Sequence, residues 1–135
     1  MKETGWNKED WRVSCGDAEA ICGGTVAYLA GPMRGMPEEN KEAFFSAEAF
    51  LHQEGVVVLN PARLPEGLPE KSYMPICVAM LEQADVIAIL PGWGYSTGAQ
   101  AEMFYAMRQG KKTVFLERAG TEKETEKEKQ EKYPQ

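Results

Sequence analysis

The sequence predicts an α/β fold, a flavodoxin- or Rossmann-like three-layer sandwich around a parallel sheet of four strands, with room for a fifth. Three observations lead there. The chain has 135 residues, 43% of them apolar, which suits one globular domain. From Val26 to Leu116, short β-rich apolar runs alternate with longer stretches of helical period, the pattern of successive βαβ units. The runs are apolar throughout instead of alternating, as strands covered by helices on both faces must be.

Residues 1–24 mix Gly, Asp, Glu, Trp and Cys without a period and read as an extension draped over the domain, with Trp6 and Trp11 as its anchors. The domain proper is 25–116. Its strands are expected at Thr25–Ala30, Val56–Asn60, Val86–Leu90 and Thr113–Leu116. A first helix is expected over Glu38–Glu54, where Phe44, Ala47 and Leu51 share one face, acids occupy the first turn and Gly55 follows the end. A second runs from about Ser72 to Ala84 with Pro75 in its first turn, and a third from Thr97 to Gln109, capped by Ser96 and ended by Gly110. The tail, 117–135, carries six acids and five bases with almost no apolar side chains, so disorder or a frayed solvated helix is expected there.

Charge and composition exclude several classes. A net charge of −6 and a pI of about 4.9 argue against binding duplex nucleic acid or an anionic membrane, both of which need surplus Lys and Arg. No apolar run is long enough to span a bilayer and the first residues are polar, so a cytoplasmic protein is expected. Cys15, Cys22 and Cys77 leave one thiol over in any disulfide scheme and none lies near His52, so no metal site is expected. The phosphate cradles Gly-x-x-x-x-Gly-Lys and Gly-x-Gly-x-x-Gly are missing, as is the Gly-x-Ser-x-Gly hydrolase elbow. No organic cofactor is expected either.

Right-handed crossovers make 2-1-3-4 the natural order of the four strands. Ligands of such sheets bind beyond the strand carboxyl ends where the order reverses, here between the loops Gly31–Pro37 and Pro91–Ser96. These loops concentrate Gly, Pro, Arg34 and aromatic residues. The third helix adds Ser96-x-Gly98-x-x-x-Glu102, which places the carboxyl group over the turn containing Gly98. A glycine there costs a helix about 1 kcal/mol against alanine, which makes sense if a ligand needs the space. Spacing alone leaves the alternative open that Glu102 is a surface glutamate and Gly98 a loose helix start. Ser96 is an N-cap that, with the free N–H groups behind it, also suits an anion.

The run Tyr28-Leu-Ala-Gly-Pro-Met-Arg34-Gly35, then Ala84-Asp85-Val86, Pro91-Gly-Trp93, Ser96-Thr-Gly98-Ala-Gln-Ala-Glu102 and Gly110-Lys-Lys, resembles the nucleoside 2-deoxyribosyltransferase superfamily. Within it, the chain is similar to the small, often phage-associated deoxyribosyltransferase-like domains, over about residues 25–116. The resemblance implies N-glycosidic chemistry on a nucleoside or nucleotide, with Glu102 as nucleophile and Tyr28 beside it near the sugar. It also implies a ligand wall of Gly31, Arg34, Gly35, Ser96 and Gly98, with Trp93 either stacking on the base or packing as a lid. Relatives acting on free nucleosides commonly carry an acid where this chain has Ser96, whereas the deoxynucleoside monophosphate N-hydrolases have a serine that helps hold the 5′-phosphate. Arg34-Gly35 matches that branch too, although Pro32 replaces another of its phosphate-binding serines. A nucleoside monophosphate is therefore the expected ligand. The usual family aspartate before the Ala-Asp-Val strand is replaced by Cys77, a poor acid, and Asp85, at the opposite end of the sheet, reads as structural.

The expected activity is cleavage or transfer of the N-glycosidic bond of a (deoxy)nucleoside 5′-monophosphate. The rival reading is a nucleotide-binding sensor or sequestering module that keeps the crevice without turnover. Relatives that complete their sites across subunits, together with seven methionines, suggest a homodimer or larger homo-oligomer.

Overall fold

The computed structural model describes residues 11–118. In chain order its elements are β1 (Trp11–Gly16), β2 (Val26–Ala30), α1 (Lys41–Gln53), β3 (Val57–Leu59), α2 (Glu70–Glu82), β4 (Val86–Ile89), α3 (Thr97–Arg108) and β5 (Lys112–Arg118). The sheet runs β1-β5-β4-β2-β3, so the four expected strands keep their expected order. β2, β3, β4 and β5 are mutually parallel where they pair, and β1 is antiparallel to β5.

The central strands explain the layering. Every residue of β4, and β2 from Ala27 onward, is buried, so side chains pack on both faces. Ala27, Leu29, Val86, Ala88 and Val114 meet Phe44, Ala47 and Leu51 of α1. Tyr28, Ala30, Ile87 and Ile89 meet Cys77 and Leu81 of α2 and Met103 and Ala106 of α3. One helix therefore covers one face and two helices cover the other.

The main differences from expectation lie at four boundaries. First, residues 11–16 belong to the sheet: Trp11, Val13 and Cys15 alternate with Arg12 and Ser14, a short period-two run that the mixed composition around it hides. Trp11 is buried at 3% exposure, donates from Nε1 to the Ser46 hydroxyl of α1 at 2.7 Å, and lies under the Arg118 guanidinium. Ser14 is the extra residue of a bulge, and Gly16, at φ 106°, approaches Thr113 so closely that a Cβ would lie 2.2 Å from its carbonyl oxygen. Second, β5 continues through Glu117 and Arg118, which pair with Arg12 and Trp11 across the ladder, so the tail begins later than its charge suggested. Trp6 and the rest of that tail, 119–135, lie outside the described residues. Third, α1 starts at Lys41 because Glu38, Glu39 and Asn40 have φ of 48°, 56° and 63°, a left-handed turn that cannot continue into the helix. Likewise α2 begins at Glu70, which leaves Pro75 inside the helix and removes one backbone hydrogen bond there.

The edge strand β1 is expected to be integral to stability. Trp11→Ala should cost about 3–5 kcal/mol in urea unfolding, through lost burial and the stranded Ser46 hydroxyl. A loss below about 1 kcal/mol would show that β1 is dispensable decoration.

Candidate active site

Strand geometry brings the two principal residues together. Tyr28 follows Ala27 on β2 and so projects to the opposite face, toward α2 and α3. Glu102 lies on the inner face of α3 with Ala99, Met103 and Ala106. The Tyr28 hydroxyl donates to Glu102 Oε2 at 2.8 Å, with both side chains buried. Burial pushes the Glu102 carboxyl up to about 7, against the opposing pull of the Tyr28 hydrogen bond. The Tyr28 hydroxyl is driven far above its usual range by burial and by the neighbouring Glu102 charge, so it stays a donor. Cys77 of α2 contacts the same hydroxyl, and its thiol is raised mainly by burial and further by Glu102. A tyrosine, a glutamate and a protonated thiol thus share the floor of one site.

That floor opens into a cleft of roughly 1300 Å³ at the carboxyl ends of the parallel strands. Gly31, Arg34 and Gly35 line one wall, and Ser96, Gly98 and Glu102 another. Ser96 caps α3, its hydroxyl accepting from the Ala99 N–H at 3.1 Å. Above Gly98 there is room: the nearest atom to an added Cβ would be Ser96 Oγ, 4.0 Å away. Gly31 has a packing reason as well, since a Cβ there would sit 2.8 Å from Leu90 Cβ at the end of β4. Gly31, Arg34, Gly35, Ser96 and Gly98 thus line one and the same cleft.

Trp93 is not part of it. Its ring packs on Phe115 of β5, with centroids 5.6 Å apart, and joins the core beneath α3. Tyr95 lines the cleft instead. Asp85 lies at the far end of the sheet, where its Oδ2 accepts from the Val26 N–H at 3.0 Å, a structural bracket between β4 and β2.

The wall that sequence reasoning missed is the segment between β3 and α2, residues 61–69, with the start of α2. Leu64, Glu66, Leu68, Glu70 and Tyr73 all face the cleft. A signal was present: Pro61, Pro65, Gly67 and Pro69 mark a structured loop after a strand. The Tyr73 hydroxyl donates to the Pro65 carbonyl at 2.8 Å and shapes this loop. At its base, buried Glu48 of α1 accepts from Asn60 at 2.7 Å and from Arg63 Nη2 at 2.8 Å. Although burial pushes the Glu48 carboxyl up, the Arg63 and Asn60 hydrogen bonds outweigh it and hold it below the usual range. Arg34 pairs with Glu70, and Lys41 Nζ lies 2.5 Å from Glu66, so both ion pairs cross from one wall to the other.

Among the described residues, no helix is long and apolar enough to cross a membrane and no cluster of three His, Cys, Asp or Glu side chains is placed to hold a metal. All three cysteines are free thiols. No curated protein and no solved structure matches the chain. The sequence profile of one family matches residues 25–115, the whole span from β2 into β5 that builds the cleft. The chain therefore belongs to the family described as a domain of unknown function, DUF4406.

Proposed function

We propose that this domain cleaves or transfers the N-glycosidic bond of a (deoxy)nucleoside 5′-monophosphate, on a flavodoxin-like fold of the deoxyribosyltransferase type. The observation that carries the reading is the buried Glu102 carboxyl group, held by Tyr28 at the floor of a cleft with open space over Gly98. Because Oε2 accepts from Tyr28, the other carboxylate oxygen is the attacking atom. It bonds to C1′ as the C1′–N bond breaks, and the bonding pair leaves with the base, which takes up a proton. Water or an acceptor base then attacks C1′ from the vacated side and releases Glu102. Arg34, Ser96 and the α3 N-terminus would hold the phosphate.

A second reading, a nucleotide sensor or sequestering module, is favoured by Cys77. Among the described residues lining the cleft, Glu102 is the one buried carboxyl group, and the thiol beside it stays protonated. Such a site lacks a separate acid for the leaving base. Incubation with a panel of nucleosides and monophosphates, followed by chromatography, separates the two. Released free base supports the glycosidase, and saturable binding with intact ligand supports the sensor. With turnover established, Glu102→Gln should lower it by at least three orders of magnitude with ligand affinity retained, since Gln still accepts from Tyr28. Near-normal activity in this variant would end the nucleophile assignment.

The pH dependence follows from the raised carboxyl. A nucleophile must be ionised, so kcat/KM should climb about tenfold per pH unit below 7 and level off above it. Stability should run the other way. A folded-state value above the unfolded one means that the folded protein binds the proton more tightly, so this contribution is fully present below about pH 4.5. It is lost as pH rises through about 7, by about 3 kcal/mol in all. Melting curves of wild type and Glu102→Gln from pH 4 to 9 test this: the wild type should lose ground to the variant between about pH 4.5 and 7 and keep a constant offset above that, and curves parallel throughout would contradict it.

Self-association belongs to the same proposal. Phe104 and Met107, one turn apart on α3, are 57% and 56% exposed, and Met74 of α2 is exposed in the same layer. A second copy covering this face should give a dimer or larger species in sedimentation at tens of micromolar, whereas a monomer would refute it.

A further inference from the structure

The cations that line the cleft face carboxylates across its mouth. Arg34, on the loop after β2, pairs with Glu70, the first residue of α2, and Lys41, the first residue of α1, pairs with Glu66. Both acids come from the wall built by 61–70, and both cations from the wall built by 31–41. We propose that Glu70 is a specificity-determining residue that competes with the ligand's phosphate for Arg34, so that the anion binds by exchange with Glu70.

The physical case is as follows. A guanidinium presents the same two-pronged donor face to a carboxylate and to a phosphate, so the two ligands exclude each other on Arg34. The Arg34 and Glu70 side chains are 82% and 71% exposed, which makes their pair screened and weak. A phosphate monoester near neutral pH carries between one and two negative charges on three acceptor oxygens, and therefore displaces a single exposed carboxylate. A neutral sugar hydroxyl does not. A lone carboxylate gains little, because it trades one such pair for another. Glu70 thus raises the threshold for occupancy of Arg34: an anion must outcompete it there, whereas a neutral nucleoside, which makes no use of the guanidinium, is unaffected. Glu66 holds Lys41 in the same manner, so both carboxylates released by an incoming anion sit on one segment.

This inference rests on the reading that the ligand carries a 5′-phosphate beside Arg34. It is tested with Glu70→Gln, Arg34→Gln and the double variant, using inorganic phosphate as the probe in calorimetry and matched monophosphate and nucleoside pairs in the base-release assay. Glu70→Gln should tighten inorganic phosphate by about three- to tenfold, the scale of an exposed ion pair plus the relieved repulsion. In the Arg34→Gln background the same change should give almost no gain. The preference for monophosphate over nucleoside should rise by the same factor. Phosphate affinity that is unchanged by Glu70→Gln, undetectable in both proteins, or improved equally without Arg34 would overturn the exchange. The outcomes keep the two claims apart: a phosphate gain that needs Arg34, with no base released from any compound, upholds the exchange and removes the glycosidase, and base release without that gain does the reverse.

Discussion

The hydrogen bond from Tyr28 to Glu102 joins the centre of the sheet to the helix that forms the cleft floor, and the site depends on it. A carboxyl group exposed to only 9% would be costly to bury without a partner. Tyr28 supplies that partner from a position that the sheet fixes on both sides, since β2 pairs with β3 and β4. Helix α3 is then held at both ends of the problem: Ser96 caps its start, and Met103 and Ala106 pack on the strand face that also carries Tyr28. The fold does not merely carry this pair, because the same packing that excludes water from Glu102 raises its carboxyl to about 7. Burial of the carboxyl group and its raised proton affinity come from one cause.

Much of this was legible in the chain because it rests on short-range patterns. Continuous apolar runs marked β2 and β4, and Phe44, Ala47 and Leu51 marked the buried face of α1, since neither signal depends on distant contacts. The pairing of Tyr28 with Glu102, 74 residues apart, came within reach only through a family resemblance, because spacing can place Glu102 over Gly98 but cannot say what lies opposite. Trp93 shows the limit: an aromatic residue in a ligand loop is equally well satisfied by the core, and Phe115 decided the matter. Strand β1 escaped because an edge strand of six residues earns its place by pairing with β5 and by the Trp11–Ser46 bond, both long-range. The left-handed turn at 38–40 has no sequence signature of its own, since Asn40 is the sole residue there with a preference for that conformation.

The wall built by 61–70 shows a division of labour between rigid and exchangeable polar contacts. At its base, Glu48 takes hydrogen bonds from Asn60 and Arg63 in a buried setting, where a lost partner leaves an unpaired charge and the contact is therefore hard to break. At its tip, Glu66 and Glu70 make exposed ion pairs, which water and salt replace at little cost. The Tyr73 hydroxyl, bonded to the Pro65 carbonyl, links the two zones. A segment anchored firmly at one end and loosely at the other can change its ion partners without unfolding.

The charge distribution then constrains what the cleft can hold. Arg34 and Lys41 are opposed by Glu39, Glu66, Glu70 and Glu102, so the lining as a whole is acidic in keeping with the chain's net charge of −6. An anion does not enter such a site on long-range attraction, as it would a basic groove. It must be recognised locally, by donors that outmatch the carboxylates already beside the cations. The N-terminus of α3 offers such donors in uncharged form, with Ser96 at its cap and the cleft directly over Gly98. Glu102 lies on the same helix six residues further in and lines the same cleft as Ser96. Helix geometry alone thus sets the cap and the carboxyl group apart by about 9 Å of rise, a separation that the lean of the Glu102 side chain back toward Gly98 shortens.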